Sequence, residues 1–343
     1  AAEARACWQR ALAIRPGHVE SRINLAFLLL MEGRYAEGWR YHEARCEPRV
    51  VDERMTSEVP DLPFPRWQGE PLAGKSLLIW PEQGLGDCIQ FVRYAALLKG
   101  RGIGQLTLLC DPALAPLVAT AAGVDSVITS RADVRSHDHW CFPMSLPLHF
   151  GTTIESIPAE LPYLHAPPER LERWRGRLPA AGYRVGLVWR GNPGHRNDAN
   201  RSLPSLATLA PLWSVPGVSF VSLQKGRGED EARSSPAGRA LLPLGQDIGD
   251  LADTAAIVAQ LDLVITVDTA VAHVAGALGK PCWIMLPRLL VDWRWLLDRD
   301  DSPWYPGAVR LFRQLVEGDW GPVVARVAAA LARQAGSRGP ARS

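Results

Sequence analysis

The chain has 343 residues, 47% of them apolar and 22% charged. These proportions exclude wholesale disorder and collagen-like or membrane-spanning compositions, and at roughly 150 residues per domain the length allows about two domains with sizeable cores. Thirty-eight basic against 36 acidic side chains leave a formal charge of +2, too little for a general nucleic-acid or membrane-surface binder, so any anion site must be local.

The first 48 residues read as helices, with Ala4, Cys7, Trp8, Ala11 and Leu12 at three- and four-residue spacing, then Asn24 to Phe27 and Tyr35 to Arg45. Ala2-Glu3-Ala4 is echoed by Ala36-Glu37-Gly38 at an offset of 34 positions, the period of tetratricopeptide repeats. Residues 1–48 are therefore read as a remnant of such an array, with an ordinary helical hairpin as the alternative. The chain opens without Met inside a predicted helix, so a fragment of a longer protein is expected.

Residues 49–75 are proline-rich and read as a linker, since proline blocks helix and central strand alike. From Ser76 the pattern becomes β-α-β: strand Ser76 to Trp80, a glycine loop, helix Cys88 to Lys99 and strand Gln105 to Cys110. Helix Pro112 to Ala122 and strands Ser126 to Thr129 and Trp140 to Phe142 complete a small α/β lobe over 76–168, with a parallel sheet. A second series fills 183–334: strand Arg184 to Trp189, helix Leu203 to Trp213, strand Val218 to Leu223, helix Gly249 to Gln260, strand Leu263 to Val267, helix Ala270 to Leu278, strand Pro281 to Met285 and a last helix Gly321 to Gln334. Residues 335–343 read as a disordered tail. The fold class is thus α/β, two Rossmann-like lobes after a helical segment.

Six cysteines carry no C-x-x-C spacing, which fits neither a zinc cage nor a disulfide framework and leaves reduced, mostly buried thiols. No apolar run approaches the ~20 residues of a membrane helix, and no signal-peptide pattern appears.

Five stretches can carry chemistry. Pro81-Glu82-Gln83-Gly84-Leu85-Gly86-Asp87 follows the first parallel strand, where α/β folds place ligands. Asp87 there is either a helix cap or a carboxylate aimed at a ligand. The loop lacks the third glycine of a dinucleotide fingerprint, and no phosphate-loop motif occurs in the chain. Strand Leu263 to Val267 runs into Asp268-Thr269-Ala270-Val271-Ala272-His273, whose helix N-terminus suits a phosphate; ordinary caps are the alternative for Asp268 and Thr269. Gln224-Lys225-Gly226, Trp189-Arg190-Gly191 and Arg201-Ser202-Leu203-Pro204 converge on the same edge. Asp298-Arg299-Asp300 reads as solvated loop, and His137-Asp138-His139 as strand capping rather than a metal site.

Through Gln83 to Asp87, Gly186-Leu187-Val188-Trp189 with Arg201 to Pro204, Ser222 to Gly226, Val267 to His273 and Asp292-Trp293-Arg294-Trp295, the chain resembles the ADP-heptose:lipopolysaccharide heptosyltransferase-like family. That family has the GT-B fold of two facing Rossmann-like lobes, and the likeness is to the version fused C-terminal to tetratricopeptide repeats. The resemblance implies an inverting, metal-independent glycosyltransferase that needs no cofactor and takes a nucleoside-diphosphate sugar as substrate. Asp87 would be the base acting on an acceptor hydroxyl, in a loop with Gln83, Gly84 and Gly86. Asp268, Thr269, Ala270, His273, Arg201, Lys225, Gln224 and Arg190 would surround the donor, with no metal ligand among them. Arg201 stands where the family has a lysine, which keeps the charge but changes the geometry. Implied partners are the donor, a glycan or protein acceptor and a protein bound by the repeats, without nucleic acid. The implied location is cytoplasmic, with room for a peripheral place at the inner membrane face. Two alternatives stay open: a non-catalytic scaffold with a degenerate sugar-nucleotide-binding module, and a sugar-nucleotide epimerase.

Overall fold

The computed structural model describes residues 2–47, 57–234 and 241–337. The part of the proline-rich linker before Ser57 and the tail after Ser337 lie outside the described residues. The chain divides into two compact units, Ala1–Glu160 with Asp292–Trp304 and Leu161–Val291 with Tyr305–Ser343. The stretch 292–304, expected within the second lobe, therefore belongs with the first unit.

The first unit opens with helices α1 (Ala2–Ile14), α2 (Val19–Met31) and α3 (Tyr35–His42), closed by a 3-10 turn over Glu43–Cys46. Apolar Ile23, Leu25, Ala26, Leu29 and Leu30 make α2 the buried member, because they fill more than one face of its turn. Gly33 ends it at φ +77°, the left-handed position in which glycine carries no Cβ penalty.

Residues 57–75 are irregular, as their prolines require, yet they are no free spacer. Phe64, Trp67 and Leu72 are buried, and the backbone bonds alongside Trp140: Trp67 N–H donates to Trp140 O at 2.8 Å and Trp140 N–H to Pro65 O at 3.1 Å. This stretch thus pairs with the edge of the first sheet through a parallel bridge at Arg66.

That sheet holds β1 (Ser76–Ile79), β2 (Gln105–Leu109), β3 (Ser126–Ile128) and β4 (His139–Cys141) in the order β3-β2-β1-β4. All its pairings are parallel, with Leu78 opposite both Thr107 and Trp140. The helix expected from Cys88 to Lys99 starts earlier and is broken into α4 (Leu85–Phe91) and α5 (Tyr94–Gly100). Arg93, buried at the break, donates its Nε–H to Gln90 O at 2.8 Å, the carbonyl that an unbroken helix would offer to Tyr94. Its Nη1 reaches Trp304 O at 2.7 Å. The expected helix Pro112 to Ala122 is reduced to one turn, α6 (Ala115–Val118), and α7 (Leu146–His149) follows β4.

The second unit carries β5 (Tyr183–Val188), β6 (Val218–Ser222), β7 (Leu241–Pro243), β8 (Leu263–Val267), β9 (Cys282–Leu286) and β10 (Val309–Arg313). Their order is β10-β9-β8-β5-β6-β7, parallel throughout. Helices α8 (Pro168–Trp174), α9 (Asp198–Arg201), α10 (Glu229–Ser234), α11 (Leu251–Ala259), α12 (Ala270–Ala277) and α13 (Gly321–Ser337) flank it. The core joins Val185, Leu187, Phe220, Ile265 and Met285 to Val323, Val327 and Leu331 of α13. The helix expected over Leu203 to Trp213 is a 3-10 helix, Leu206–Ser214, with Pro211 inside it; proline supplies no N–H and cannot sustain an α-helical ladder. Strands β7 and β10 were not expected. Helix α13 runs three residues past Gln334, so 335–337 are helical rather than disordered.

Candidate functional site

In the first unit the candidate is the turn from β1 into α4. Gln83 sits at φ 57° and Gly84 is the N-cap of α4; both are exposed, while Gly86 and Asp87 are half-buried. Gly84 N–H donates to Asp87 Oδ2 at 2.8 Å, so Asp87 caps its own helix. That leaves Oδ1, which accepts from Arg294 Nη2, a residue 207 positions away. Arg294 is buried and also engages both oxygens of Asp292, at 2.9 and 2.8 Å, and Gln90 Oε1. Burial pushes the Asp87 carboxyl above the usual carboxylate range; Arg294 opposes the rise and Asp292 adds to it. These bonds engage one lone-pair site on each oxygen of the carboxylate.

Behind this turn lies a buried charge cluster that no short sequence motif marks. Arg45, at the end of the helical segment, grips Glu82 through Nε at 2.9 Å and Nη2 at 3.1 Å. Glu82 also accepts from Ser57 Oγ at 2.6 Å and Met144 N–H at 2.8 Å. Arg45 bonds Glu43 at 2.7 Å and Ser145 Oγ at 2.9 Å, and Arg66 joins at Glu43 and Ser145. Burial works to raise the Glu43 carboxyl, but Arg45 and Arg66 hold it below its ordinary value. The chain beside the glycine turn is thereby fixed to the helices.

Elsewhere in this unit, Asp138 does the strand capping expected of the His137-Asp138-His139 string. It accepts from Ser76 N–H at 2.8 Å and Ser76 Oγ at 2.9 Å, bonds that lower its pKa to about 2. His137 bonds Thr107 and the Arg135 carbonyl. In the Asp298-Arg299-Asp300 string, Arg299 pairs with Asp301 at 2.6 Å.

In the second unit the carboxyl ends of β6, β5 and β8 are neighbours, which places Gln224 and Lys225, Arg190, and Asp268 to Ala270 on one edge. Thr269 is the N-cap of α12 but makes no side-chain cap bond; its hydroxyl lies 3.0 Å from Thr266 Oγ1. Asp268, Thr269 and Ala270 are half-buried, so this helix start keeps a route to solvent, where its N–H groups and dipole favour an anion. His273 is buried one turn in, with Nδ1 2.7 Å from Tyr305 Oη.

Arg201, on α9, lies 3.8 Å from Asp198, and its buried Nε has no hydrogen-bond partner. Asp198 is itself buried, accepting from Ser202 Oγ at 2.8 Å and Arg227 Nη1 at 3.4 Å.

Three residues expected around a donor also make hydrogen bonds within the fold. Gln224 is 1% exposed: its Oε1 accepts from the N–H groups of Trp189 and Arg190, both at 3.0 Å. Its Nε2 donates to Arg190 O at 3.1 Å and Arg227 O at 2.9 Å. The amide clamps two strand-end loops and has nothing left for a ligand. Arg190 pairs with Glu231 at 2.9 Å and bonds Pro204 O. Lys225 gives two N–H bonds to carbonyls, Ile248 O at 2.6 Å and Gly245 O at 3.3 Å. These uses are long-range pairings invisible in a sequence string.

Among the described residues, no group of three or more His, Cys, Asp or Glu is placed to hold a metal ion, and no helix is long and apolar enough to cross a membrane.

Residues 249–283 match the family model described as Glycosyltransferase family 9 (heptosyltransferase); they span α11, β8, α12 and the start of β9. Protein FlbA of Caulobacter vibrioides is 31% identical over 92% of this chain, and the chain spans 56% of the length of that relative. Among solved structures, the Escherichia coli ADP-heptose LPS heptosyltransferase II superposes with a TM-score of 0.54 at 15% identity, over 76% of this chain and 99% of that one. The glycosyl transferase family 9 protein of Veillonella parvula gives a TM-score of 0.54 at 13% identity, over 78% and 97%. The chain thus has an α/β fold with parallel sheets matching heptosyltransferase structures, and its family-matched segment contains the Asp268-Thr269-Ala270 helix start.

Proposed function

We propose that this chain is an inverting glycosyltransferase, moving a sugar from a nucleoside-diphosphate sugar to an acceptor hydroxyl without a metal step. The observation that carries the reading is the start of α12, where the N-cap Thr269 makes no side-chain cap bond, lying inside the segment that matches the glycosyltransferase model. The N–H groups there hold the donor diphosphate, Asp268 meets sugar hydroxyls, and Arg201 supplies the cation. His273, bonded to Tyr305, supports the phosphate from beneath. The acceptor oxygen attacks the anomeric carbon, a C–O bond forms as the bond to the diphosphate breaks, and Asp87 takes the hydroxyl proton. Charge building on the departing diphosphate is stabilised electrostatically, each donor contributing about 2–4 kcal/mol.

Gln224 serves this site by holding its loops, and Arg190 and Lys225, anchored by bonds within the fold, add positive charge beside the donor. Their internal engagement also favours the second reading, a module that binds a sugar nucleotide without turning it over. The N-terminal helices, read as repeats, would bring the acceptor, a glycan or a protein. The working location is cytoplasmic, free or at the inner membrane face.

Thermal stabilisation by a panel of nucleoside diphosphates and sugar nucleotides tests the reading, since a ligand that prefers the folded state raises Tm. One nucleotide class should raise Tm, and Asp268→Ala should abolish the rise. A panel without any shift would remove the donor site.

A further inference from the structure

Trp293, Arg294 and Trp295 form a 3-10 turn whose N-cap is Asp292, accepting from Arg294 N–H at 3.0 Å. The Arg294 guanidinium lies 4.5 Å from the Trp293 ring centroid and 5.7 Å from that of Phe91. Trp293 is packed edge-on against Trp39 at 5.2 Å and Tyr35 at 6.1 Å. A guanidinium walled in by rings and bonded to Asp87, Asp292 and Gln90 has little freedom to swing away.

We propose that Asp292 and Arg294 form a positioning pair for Asp87, in which Arg294 orients the carboxylate and favours its charged form while Asp292 orients Arg294 and moderates its pull. The inference rests on the reading of Asp87 as the base, and it adds two residues to that role. A base must be ionised to accept a proton yet basic enough to hold it. An arginine alone beside Asp87 would make it a poor base; a second carboxylate on the same guanidinium shares the positive charge and leaves Asp87 more basic.

The ionisable groups facing Asp87 are Arg294 and Asp292 from the 3-10 turn, Glu82 from its own loop and Cys88 from α4. Tyr35 of α3 faces the Asp292–Arg294 pair. Burial keeps the Cys88 thiol and the Tyr35 phenol protonated over the working range, and Glu82 is tied to Arg45. Arg294 and Asp292 are therefore the neighbours whose removal should move Asp87, and in opposite directions.

The test follows the Asp87 carboxyl by carbon-13 NMR on aspartate-labelled protein, with the resonance assigned by its loss in Asp87→Asn. Arg294→Gln should raise the titration midpoint by roughly one to three pH units, the usual effect of losing an adjacent opposite charge. Asp292→Asn should lower it, and asparagine still caps the turn. The Asp292 side chain is 33% exposed and Arg294 keeps Asp87 as a counter-charge, so this variant should fold and decide the matter even where Arg294→Gln does not. Midpoints unchanged, or moving the same way in both variants, overturn the proposal. In the turnover assay the acid limb of the kcat/KM profile should follow the midpoints. A wild-type protein without turnover whose midpoints still diverge would sink the transferase reading and leave the pair standing.

Discussion

Asp87 shows how one side chain serves two purposes in this chain. Its Oδ2 satisfies the N–H of Gly84 at the helix start and its Oδ1 meets a buried arginine, so a local cap and a long-range ion pair share one carboxylate. Asp87→Asn retains the cap, because an amide oxygen accepts the same N–H, but it removes the proton acceptor. Turnover should fall by about 10²–10⁴, the usual contribution of general-base catalysis, with nucleoside-diphosphate binding by calorimetry unchanged; unaltered turnover would remove Asp87 as base. At the Arg45–Glu82 pair the consequence is for stability. The two side chains are 2% and 0% exposed, so Glu82→Gln removes one of the two carboxylates that neutralise a buried cation and leaves Glu43 as the other. A loss of about 3–5 kcal/mol is expected in urea unfolding, and a loss below 1 kcal/mol would show that the cluster is redundant.

At the scale of elements, the second sheet depends on ties between its helices and loops. Asp253 of α11 accepts from Arg170 of α8 at 2.9 Å, from Trp174 Nε1 at 3.0 Å and from Gly249 N–H at 2.9 Å. Burial works to raise this carboxyl, yet the Trp174, Gly249 and Arg170 contacts hold it below the ordinary value. A lowered folded-state pKa means that the stabilisation is complete above the unfolded value of about 4 and fades as pH falls through the folded one. The Tm difference between wild type and Asp253→Asn should therefore be largest at neutral pH and shrink on acidification towards pH 2. A gap that stays constant or widens would contradict this account. Gly245 is a second tie: a Cβ there would lie 2.0 Å from Gln224 O, and backbone cannot yield as a side chain can. Gly245→Ala should cost about 1–3 kcal/mol and loosen the Gln224 clamp, read as faster amide exchange at Trp189 and Arg190.

Within the first unit, buried side-chain bonds tie the helices to the chain that follows the sheet. Trp39 of α3 donates its indole N–H to Thr152 O at 3.0 Å, and Tyr35 Oη accepts from Trp304 Nε1 at 2.9 Å. The helical segment is therefore built into the unit that carries Asp87. Trp39→Ala, emptying a site 1% exposed, should cost about 3–5 kcal/mol and speed amide exchange in α2, α3 and β1 together. Exchange confined to α3 would show that the helices unfold on their own.

The strands of both sheets were the most legible elements, because short apolar runs bounded by glycine and proline have few other solutions. Expected Leu263 to Val267 is β8 as it stands, and Gln105 to Cys110 is β2 with one residue fewer. Helices were less legible where a buried side chain or proline competes for the backbone, as at Arg93 and Pro211. Among candidate site residues, the sequence drew attention to Asp87 and the Asp268 turn by their places after strands. It marked Gln224, Arg190 and Lys225 by the same logic, without showing that each is also anchored by hydrogen bonds inside the fold.

By itself, then, the sequence determined the alternation of elements, the parallel sheets and the loops at the strand ends, since periodicity and turn chemistry are local properties. Only the tertiary structure decided that Arg294 meets Asp87, that Arg45 meets Glu82 and that residues 57–75 pack instead of linking. Those contacts join positions far apart in the chain, and no local pattern encodes which distant partner a buried charge or ring will find.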